Sequence, residues 1–298
     1  GHSPLQMLGA IRCLGPQVPA TYTVHSPFDD EMASNRSAGL MNSFAVRLAR
    51  WADRWIVAKC KSVQTDSAYT LRSMTTKHGQ SVLQKGVVAP GWVETNQFHP
   101  ASNRSELRRK LGPAWNVDLP LFFTLRRLEN RMGLETLVAA CQQLRQEGLE
   151  FRTLIGGSGS LKEILQQQIV AAGIQDSVCL LGRLPEDQLA GCYAAADCFV
   201  LPTKALECFG LIVLEAFACN TPVIASNVAA IPELAAQQGR DWMFEPGHVE
   251  QLTDRMRQFI KGQLRPTGDL RAIAMQYDKP KILKQWEELL FKPLEARG

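Results

Sequence analysis

The chain has 298 residues, 45% hydrophobic and 21% charged, with a formal net charge of +4. That length exceeds what one hydrophobic core usually serves and predicts two domains, while a composition without low-complexity tracts is that of a soluble globular protein. The mild basic excess can attract phosphorylated substrates or an anionic membrane surface, but it is no sign of nucleic-acid binding. Cysteines 13, 60, 141, 179, 192, 198, 208 and 219 form no CxxC pair. They read as reduced residues of a cytoplasmic protein with neither structural zinc nor a disulfide framework. No run approaches the roughly 20 apolar residues that cross a bilayer, so any membrane contact is expected to be peripheral, at the inner face.

In chain order, a helix over Pro4 to Cys13 leads through G-P-Q-V-P into a short strand, A-T-Y-T-V-H, ending at His25. A polar loop follows, with a carboxylate run at Asp29, Asp30 and Glu31 that is not read as a metal site. Apolar residues then recur at helical spacing over Leu40 to Trp55. S-V-Q-T-D-S-A-Y-T-L-R-S-M predicts a strand and another helix, and G-V-V-A-P-G-W a strand stopped by Pro90 and Gly91. The polar segment Val93 to Gly112 is the expected boundary, with domains at 1–100 and 101–280 and a last helix at 281–298.

Beyond the boundary, strands at 119–125, 151–155, 177–181, 197–201 and 222–226 alternate with helices. The helices are expected over Gly133–Gln146, Ser160–Ala172, Glu186–Ala195, Gly210–Ala218 and Ile231–Gln238. Such alternation predicts a parallel sheet covered on both faces, with ligands at the carboxyl ends of its strands.

Three of the loops after those strands carry chemistry. After Leu125, R-R-L-E-N-R-M-G sets three arginines just before a helix. Arginine forks and free helix amides together suit a phosphate or diphosphate; the alternative is a solvated cluster. After Ile155, G-G-S-G-S lets a ligand approach the backbone, or is an ordinary tight turn, and it is not a full GxGxxG. After Leu201 comes P-T-K-A-L-E-C-F-G-L-I-V-L-E, in which Glu207 precedes a helix and Glu215 lies inside it. Eight residues of helix separate the carboxylates by at most ~12 Å, the scale of a hexose-to-ribose distance. Both can accept hydrogen bonds from hydroxyls while the amides of Phe209, Gly210 and Leu211 take a diphosphate between them. Otherwise Glu207 is a carboxylate favoured by the helix dipole and Glu215 a solvated residue, although Leu214, Ala216 and Phe217 around Glu215 suggest burial.

The ordered set R-R-L-E-N-R-M-G-L-E-T-L, I-G-G-S-G-S-L, L-L-G-R-L-P, Y-A-A-A-D-C-F-V-L-P, E-C-F-G-L-I-V-L-E-A-F-A and T-P-V-I-A-S resembles glycosyltransferase family 4. The likeness runs from about His25 to the C-terminus. It implies the GT-B fold, two Rossmann-like α/β domains facing across a cleft, and retaining, nucleotide-sugar-dependent transfer. By this resemblance Arg127 matches the arginine that binds the donor diphosphate, and Arg131 replaces a lysine usual at Met132. Glu207 matches the glutamate facing the donor sugar, Phe209, Gly210 and Leu211 the amides at sugar and phosphate, and Glu215 the ribose-binding glutamate. His25 resembles the strand-end histidine at the sugar; Gly156 and Gly182 join the donor-binding set. Asn220 stands where glycine is common and Ala229-Ala230 where Gly-Gly often sits; asparagine tolerates the left-handed conformation. Members of the family carry a longer stretch before this strand, where only residues 1–24 precede His25, so the first domain is expected to be truncated at its start.

The implied function is transfer of a sugar from a UDP-, GDP- or ADP-linked donor to a hydroxyl of a polysaccharide, glycolipid or small glycoside, without a metal ion or organic cofactor. Expected partners are the nucleotide sugar and a carbohydrate or lipid-linked acceptor, and no nucleic acid. Alternatives are a non-catalytic nucleotide-sugar-binding protein or inactive fragment, and a GT-B-fold epimerase. An NAD-linked dehydrogenase lacks its glycine fingerprint here.

Overall fold

The computed structural model describes residues 4–14, 20–25 and 40–291. They fall into two compact units, Gly1–Gly91 with Pro280–Gly298, and Trp92–Lys279. The break precedes the expected 100/101 because residues 92–100 bond to the second unit. The Val93 amide donates to the Tyr277 carbonyl at 2.9 Å and Lys279 returns a bond to Val93 at 3.1 Å. Asp278 accepts from the Thr95 amide and hydroxyl, and the Arg271 guanidinium reaches the Thr95, Phe98 and Ala218 carbonyls. A polar sequence hid this attachment, since its bonds run to residues far away in the chain.

The first unit holds a parallel sheet β1-β2-β3 (Thr21–Val24, Ser62–Thr65, Gly86–Val88). Helices Pro4–Leu14, Leu40–Lys59 and Ala68–His78 accompany it, the last capped by the Ser67 hydroxyl accepting from the Thr70 amide. Its core gathers Met7, Tyr22, Val24, Ile56, Val57, Val63 and Met74. Residues from Pro280 onward cluster with this unit, and the Trp286 indole donates to the Pro90 carbonyl at 2.9 Å. Asp29 to Glu31 lie outside the described residues.

The second unit is a six-stranded parallel sheet in the order β6-β5-β4-β7-β8-β9. The strands are β4 Leu121–Leu125, β5 Arg152–Gly156, β6 Val178–Gly182, β7 Cys198–Leu201, β8 Val223–Ser226 and β9 Met243–Phe244. Only β9 escaped the sequence reading, two residues being too short for a period-2 signal. Helices Leu134–Gln146, Lys162–Ala171, Leu189–Ala195, Leu211–Ala218 and Ile231–Ala235 alternate with the strands near the expected bounds. Because successive strand residues point to opposite faces, Leu121 and Phe123 enter one buried cluster with Tyr193 and Phe199. Phe122 enters the other, with Ile155 and Val200. The chain runs outward from β4 through β5 to β6, then returns to place β7 on the other side of β4. That reversal sets the loops after β4 and β7 side by side, the place where open α/β sheets bind ligands. The fold class is the expected α/β, with one parallel sheet in each of the two units.

Among the described residues, three non-glycine residues have left-handed backbone: Leu206 (φ 58°), Asn220 (φ 57°) and Ala229 (φ 53°). Asparagine tolerates this, whereas a β-carbon there costs an alanine about 1–2 kcal/mol. Ala229→Gly is therefore expected to raise stability by about 0.5–1 kcal/mol after glycine's greater unfolded-state entropy is subtracted. A urea midpoint that rises with an unchanged slope would show it; an unchanged or lower midpoint would contradict the strain assignment.

Candidate functional site

The loop after β4 ends at Gly133, which is left-handed (φ 71°) and so close to the Pro202 carbonyl that a β-carbon would collide with it. This glycine brings the arginine loop against the loop that follows β7. The Lys204 amide donates to the Arg131 carbonyl at 2.8 Å, and Lys204 Nζ lies 3.3 Å from Glu135. Ser226 donates its hydroxyl to the Thr203 carbonyl at 2.6 Å, and the Ala230 amide donates to the Glu207 carbonyl at 3.0 Å. The glutamate is thus held by backbone contacts from two neighbouring loops.

The three arginines have separate assignments. Arg126 Nη2 donates to Glu207 Oε2 at 2.8 Å and to Thr203 Oγ1 at 3.0 Å, with side-chain exposures of 9% for Arg126 and 20% for Glu207. Arg131 Nη1 donates to the Leu206 carbonyl at 2.8 Å. Burial, then the neighbouring Arg127 and Arg126 charges, lowers its affinity for its proton, though a guanidinium stays protonated at any working pH. Arg127 is exposed and, among the described residues, its guanidinium has no hydrogen-bond partner. The sequence pointed to Arg127 and Arg131 for an anion; the structure turns Arg131 onto a protein carbonyl with one of its donors. Arg126, which sequence reasoning passed over, is the arginine that meets Glu207. Its signal was its place directly after a buried strand, where a long cation either folds inward to a partner or leaves for solvent.

Helix Leu211–Ala218 starts from left-handed Gly210 (φ 90°) and has no side-chain cap. Among the described residues the amides of Phe209, Gly210 and Leu211 make no hydrogen bond, while the buried Phe209 ring packs on Tyr277 at 6.0 Å between centroids. Three free donors at the positive end of a helix dipole form an anion-binding feature. Beside them stand a held carboxylate and an uncommitted arginine.

Residues 104–277 match the family model for glycosyl transferases group 1. The chain belongs to that family. Arg127, Arg131, Gly156, Gly182, Glu207 and the residues through Glu215 lie in the matched stretch; His25 does not. The chain is 34% identical over 195 residues to D-inositol 3-phosphate glycosyltransferase of Streptomyces scabiei, covering 62% of this chain and 42% of that protein. It is 30% identical over 193 residues to GDP-mannose-dependent alpha-(1-6)-phosphatidylinositol monomannoside mannosyltransferase of Mycolicibacterium smegmatis, covering 62% and 49%. The match spans between 36% and 56% of these and similar curated relatives. Among solved structures, Anabaena HepE in complex with UDP aligns with TM-score 0.80 at 20% identity, over 99% of this chain and 77% of that one. Sucrose-phosphate synthase of Thermosynechococcus elongatus aligns with TM-score 0.81 at 20% identity, over 99% and 73%.

In this group 1 chain the glycine motif after β5 serves the protein's own packing. Gly157 takes φ 130° against the Arg126 carbonyl and Gly159 packs on the Leu128 backbone, where β-carbons would collide. The Leu128 amide donates to the Ser158 carbonyl at 2.9 Å. The glycines were read as room for a ligand at the backbone or as a tight turn; at Gly157 and Gly159 it is the arginine loop that approaches. Gly156 is buried where Leu184 and Leu125 would meet a β-carbon, and its carbonyl accepts from the Arg126 amide at 3.1 Å. Gly182 is left-handed (φ 72°) with open space where a side chain would stand. His25, in the first unit, is exposed, and its Nδ1 lies 2.8 Å from Asp66 Oδ2. Among the described residues no cluster of His, Cys, Asp and Glu could hold a metal ion, and no helix is long and apolar enough to cross a membrane.

Glu215 lies beside the buried Tyr193. Burial pushes its carboxyl up from the ordinary range, opposed in part by the Tyr193 phenol. Burial, followed by the Glu215 charge, pushes that phenol well above its own ordinary value. The phenol oxygen lacks a well-formed hydrogen bond among the described residues. A carboxyl whose folded pKa is raised loses stability for the protein as pH climbs from its unfolded to its folded value. Glu215→Gln should therefore stabilise the free protein at neutral pH, with the gain shrinking as pH falls towards the ordinary carboxylate range. Thermal melts across pH test this; a gain independent of pH would refute the burial account.

Proposed function

We propose that this protein moves a sugar from a nucleotide diphosphate sugar to an acceptor hydroxyl with retention at the anomeric carbon. The observation that carries the reading is the set of three uncommitted amides at Phe209, Gly210 and Leu211, next to held Glu207 and uncommitted Arg127. The amides and Arg127 would take the donor diphosphate, a preorganised positive environment for charge that grows as the leaving group departs. Arg131 adds long-range positive charge while its fork is tied to Leu206. Glu207 would receive hydroxyls of the sugar, and partly buried Glu215 a ribose diol whose hydrogen bonds offset its desolvation. Gly182 would leave room for the base, and Gly156 would support the loop.

In the proposed step the bond between the anomeric carbon and the diphosphate oxygen breaks while the acceptor oxygen bonds to that carbon on the same face. The acceptor proton passes to the departing phosphate oxygen, so no protein base is needed, and no metal ion or organic cofactor is invoked. Candidate donors are UDP-, GDP- and ADP-sugars. HepE has been crystallised with UDP-glucose, and the mycobacterial relative is described as GDP-mannose-dependent. Acceptors are sought among carbohydrates and lipid-linked glycosides, since that relative acts on a phosphatidylinositol mannoside; contact with such an acceptor would be peripheral to the membrane.

Release of free nucleoside diphosphate from labelled donors tests the reading, with acceptor glycosides added in turn and EDTA present. Arg127→Ala and Glu207→Gln are each expected to lower turnover by about 10²-fold or more while leaving the melting curve cooperative. Full activity in either variant would sink the assignment. Binding without turnover in the wild type would favour a non-catalytic nucleotide-sugar-binding protein, and activity abolished by EDTA would contradict the metal-free step.

A further inference from the structure

Arg126 is arranged differently from a residue kept for stability. It is nearly buried, and its Nη2 is shared between Glu207 Oε2 at 2.8 Å and Thr203 Oγ1 at 3.0 Å. Its Nε is buried and has no partner among the described residues. A buried cation with an unsatisfied donor is a poor device for stability, since apolar replacements of buried ion pairs are often neutral or stabilising. What the arrangement does supply is direction. Thr203 is fully buried, with its carbonyl held by Ser226, so the acceptor sharing Nη2 with Glu207 is itself immobile. The Glu207 backbone is fixed as well, by the Ala230 amide on its carbonyl and by Arg131 on the preceding Leu206 carbonyl. Leu206 meanwhile stays in the left-handed region (φ 58°) that a branched side chain rarely enters.

We infer that Arg126 is a positioning residue: it caps Oε2 of Glu207 and holds the carboxylate in one orientation, leaving Oε1 to receive the hydroxyls of the donor sugar. This rests on the donor-site reading above. Arg127 and Arg126 then act on different halves of one ligand. Arg127 would hold the diphosphate directly, whereas Arg126 acts on the sugar half through Glu207 and touches no ligand. Arg126 therefore sets how well the glycosyl part is held and aligned, and contributes little to recognition of the nucleotide.

The two contributions separate by experiment. Calorimetric titration of the 298-residue protein with UDP, GDP and ADP, and with UDP-glucose, GDP-mannose and ADP-glucose, is compared among wild type, Arg126→Met and Arg126→Lys, alongside kcat and KM for release of nucleoside diphosphate. Arg126→Met is expected to bind the nucleoside diphosphate within about twofold of wild type. It should lose about tenfold or more in kcat and the extra affinity that the sugar confers, as displacement of a reacting group does. Arg126→Lys keeps a single donor and should recover part of that loss. In the double variant with Glu207→Gln, Arg126→Met should add little to the loss caused by Glu207→Gln alone. Equal weakening of diphosphate and sugar nucleotide, wild-type kcat in Arg126→Met, or additive losses in the double variant would overturn the positioning role and leave the donor site standing. A gain in turnover would overturn it too, by making the ion pair a restraint on Glu207. Failure of the wild type to bind any of the six nucleotides would remove the donor-site reading itself, and this inference with it.

Discussion

The contact of Gly133 with the Pro202 carbonyl is the constraint on which the site depends. The sheet order places β7 beside β4, but neighbouring strands only bring their following loops into the same region. For the arginines after β4 to reach the glutamate after β7, the two backbones must touch, and no β-carbon fits at the point of contact. Gly157 and Gly159 repeat the device on the other side, seating the loop after β5 on the Arg126 and Leu128 backbone. The arginine loop is therefore gripped on both flanks, and its side chains, rather than its backbone, are what remains to face a ligand.

Charge is distributed over this frame unevenly. A cluster of three guanidinium groups at a helix start repels itself and gains nothing from the helix dipole, so each needs a separate outlet. Arg126 finds the Glu207 carboxylate, Arg131 a protein carbonyl, and Arg127 lies exposed. The negative groups are treated in opposite ways. Glu207 is matched by a nearby cation, whereas Glu215 is partly buried beside a phenol and its charge is discouraged. The exposed arginine, the open helix amides and the poorly solvated carboxyl are the polar groups here that the protein itself leaves unmatched.

Strain collects at the same place. Leu206 and Ala229 both lie in the left-handed region, one directly before Glu207 and the other directly before the residue whose amide holds the Glu207 carbonyl. Each costs roughly 1–3 kcal/mol where a β-carbon is present, a cost the buried clusters on the two faces of the sheet can carry. Concentrated strain around a single carboxylate fits a fold that gives up stability for placement.

Much of this was readable from residues alone. Short, nearly continuous apolar runs separated by helical patterns determined the parallel sheet, because burial on both faces leaves strand residues little choice. The order of glutamates, glycines and arginines after the strands, through a family likeness, pointed to the family that the matched stretch shows. Local sequence also determined the turns, as with Asn220, whose left-handed backbone suits its side chain. Other features required the tertiary structure, since they depend on contacts between distant parts of the chain. Residues 92–100 join the second unit through Asp278 and Arg271, so composition could not reveal their allegiance. Which arginine meets Glu207, and whether a glycine gap admits a ligand or a neighbouring backbone, were decided by packing between loops from different strands. The spacing of one-dimensional motifs records that such loops exist; only the folded sheet sets them edge to edge and thereby selects Arg126 as the partner of Glu207.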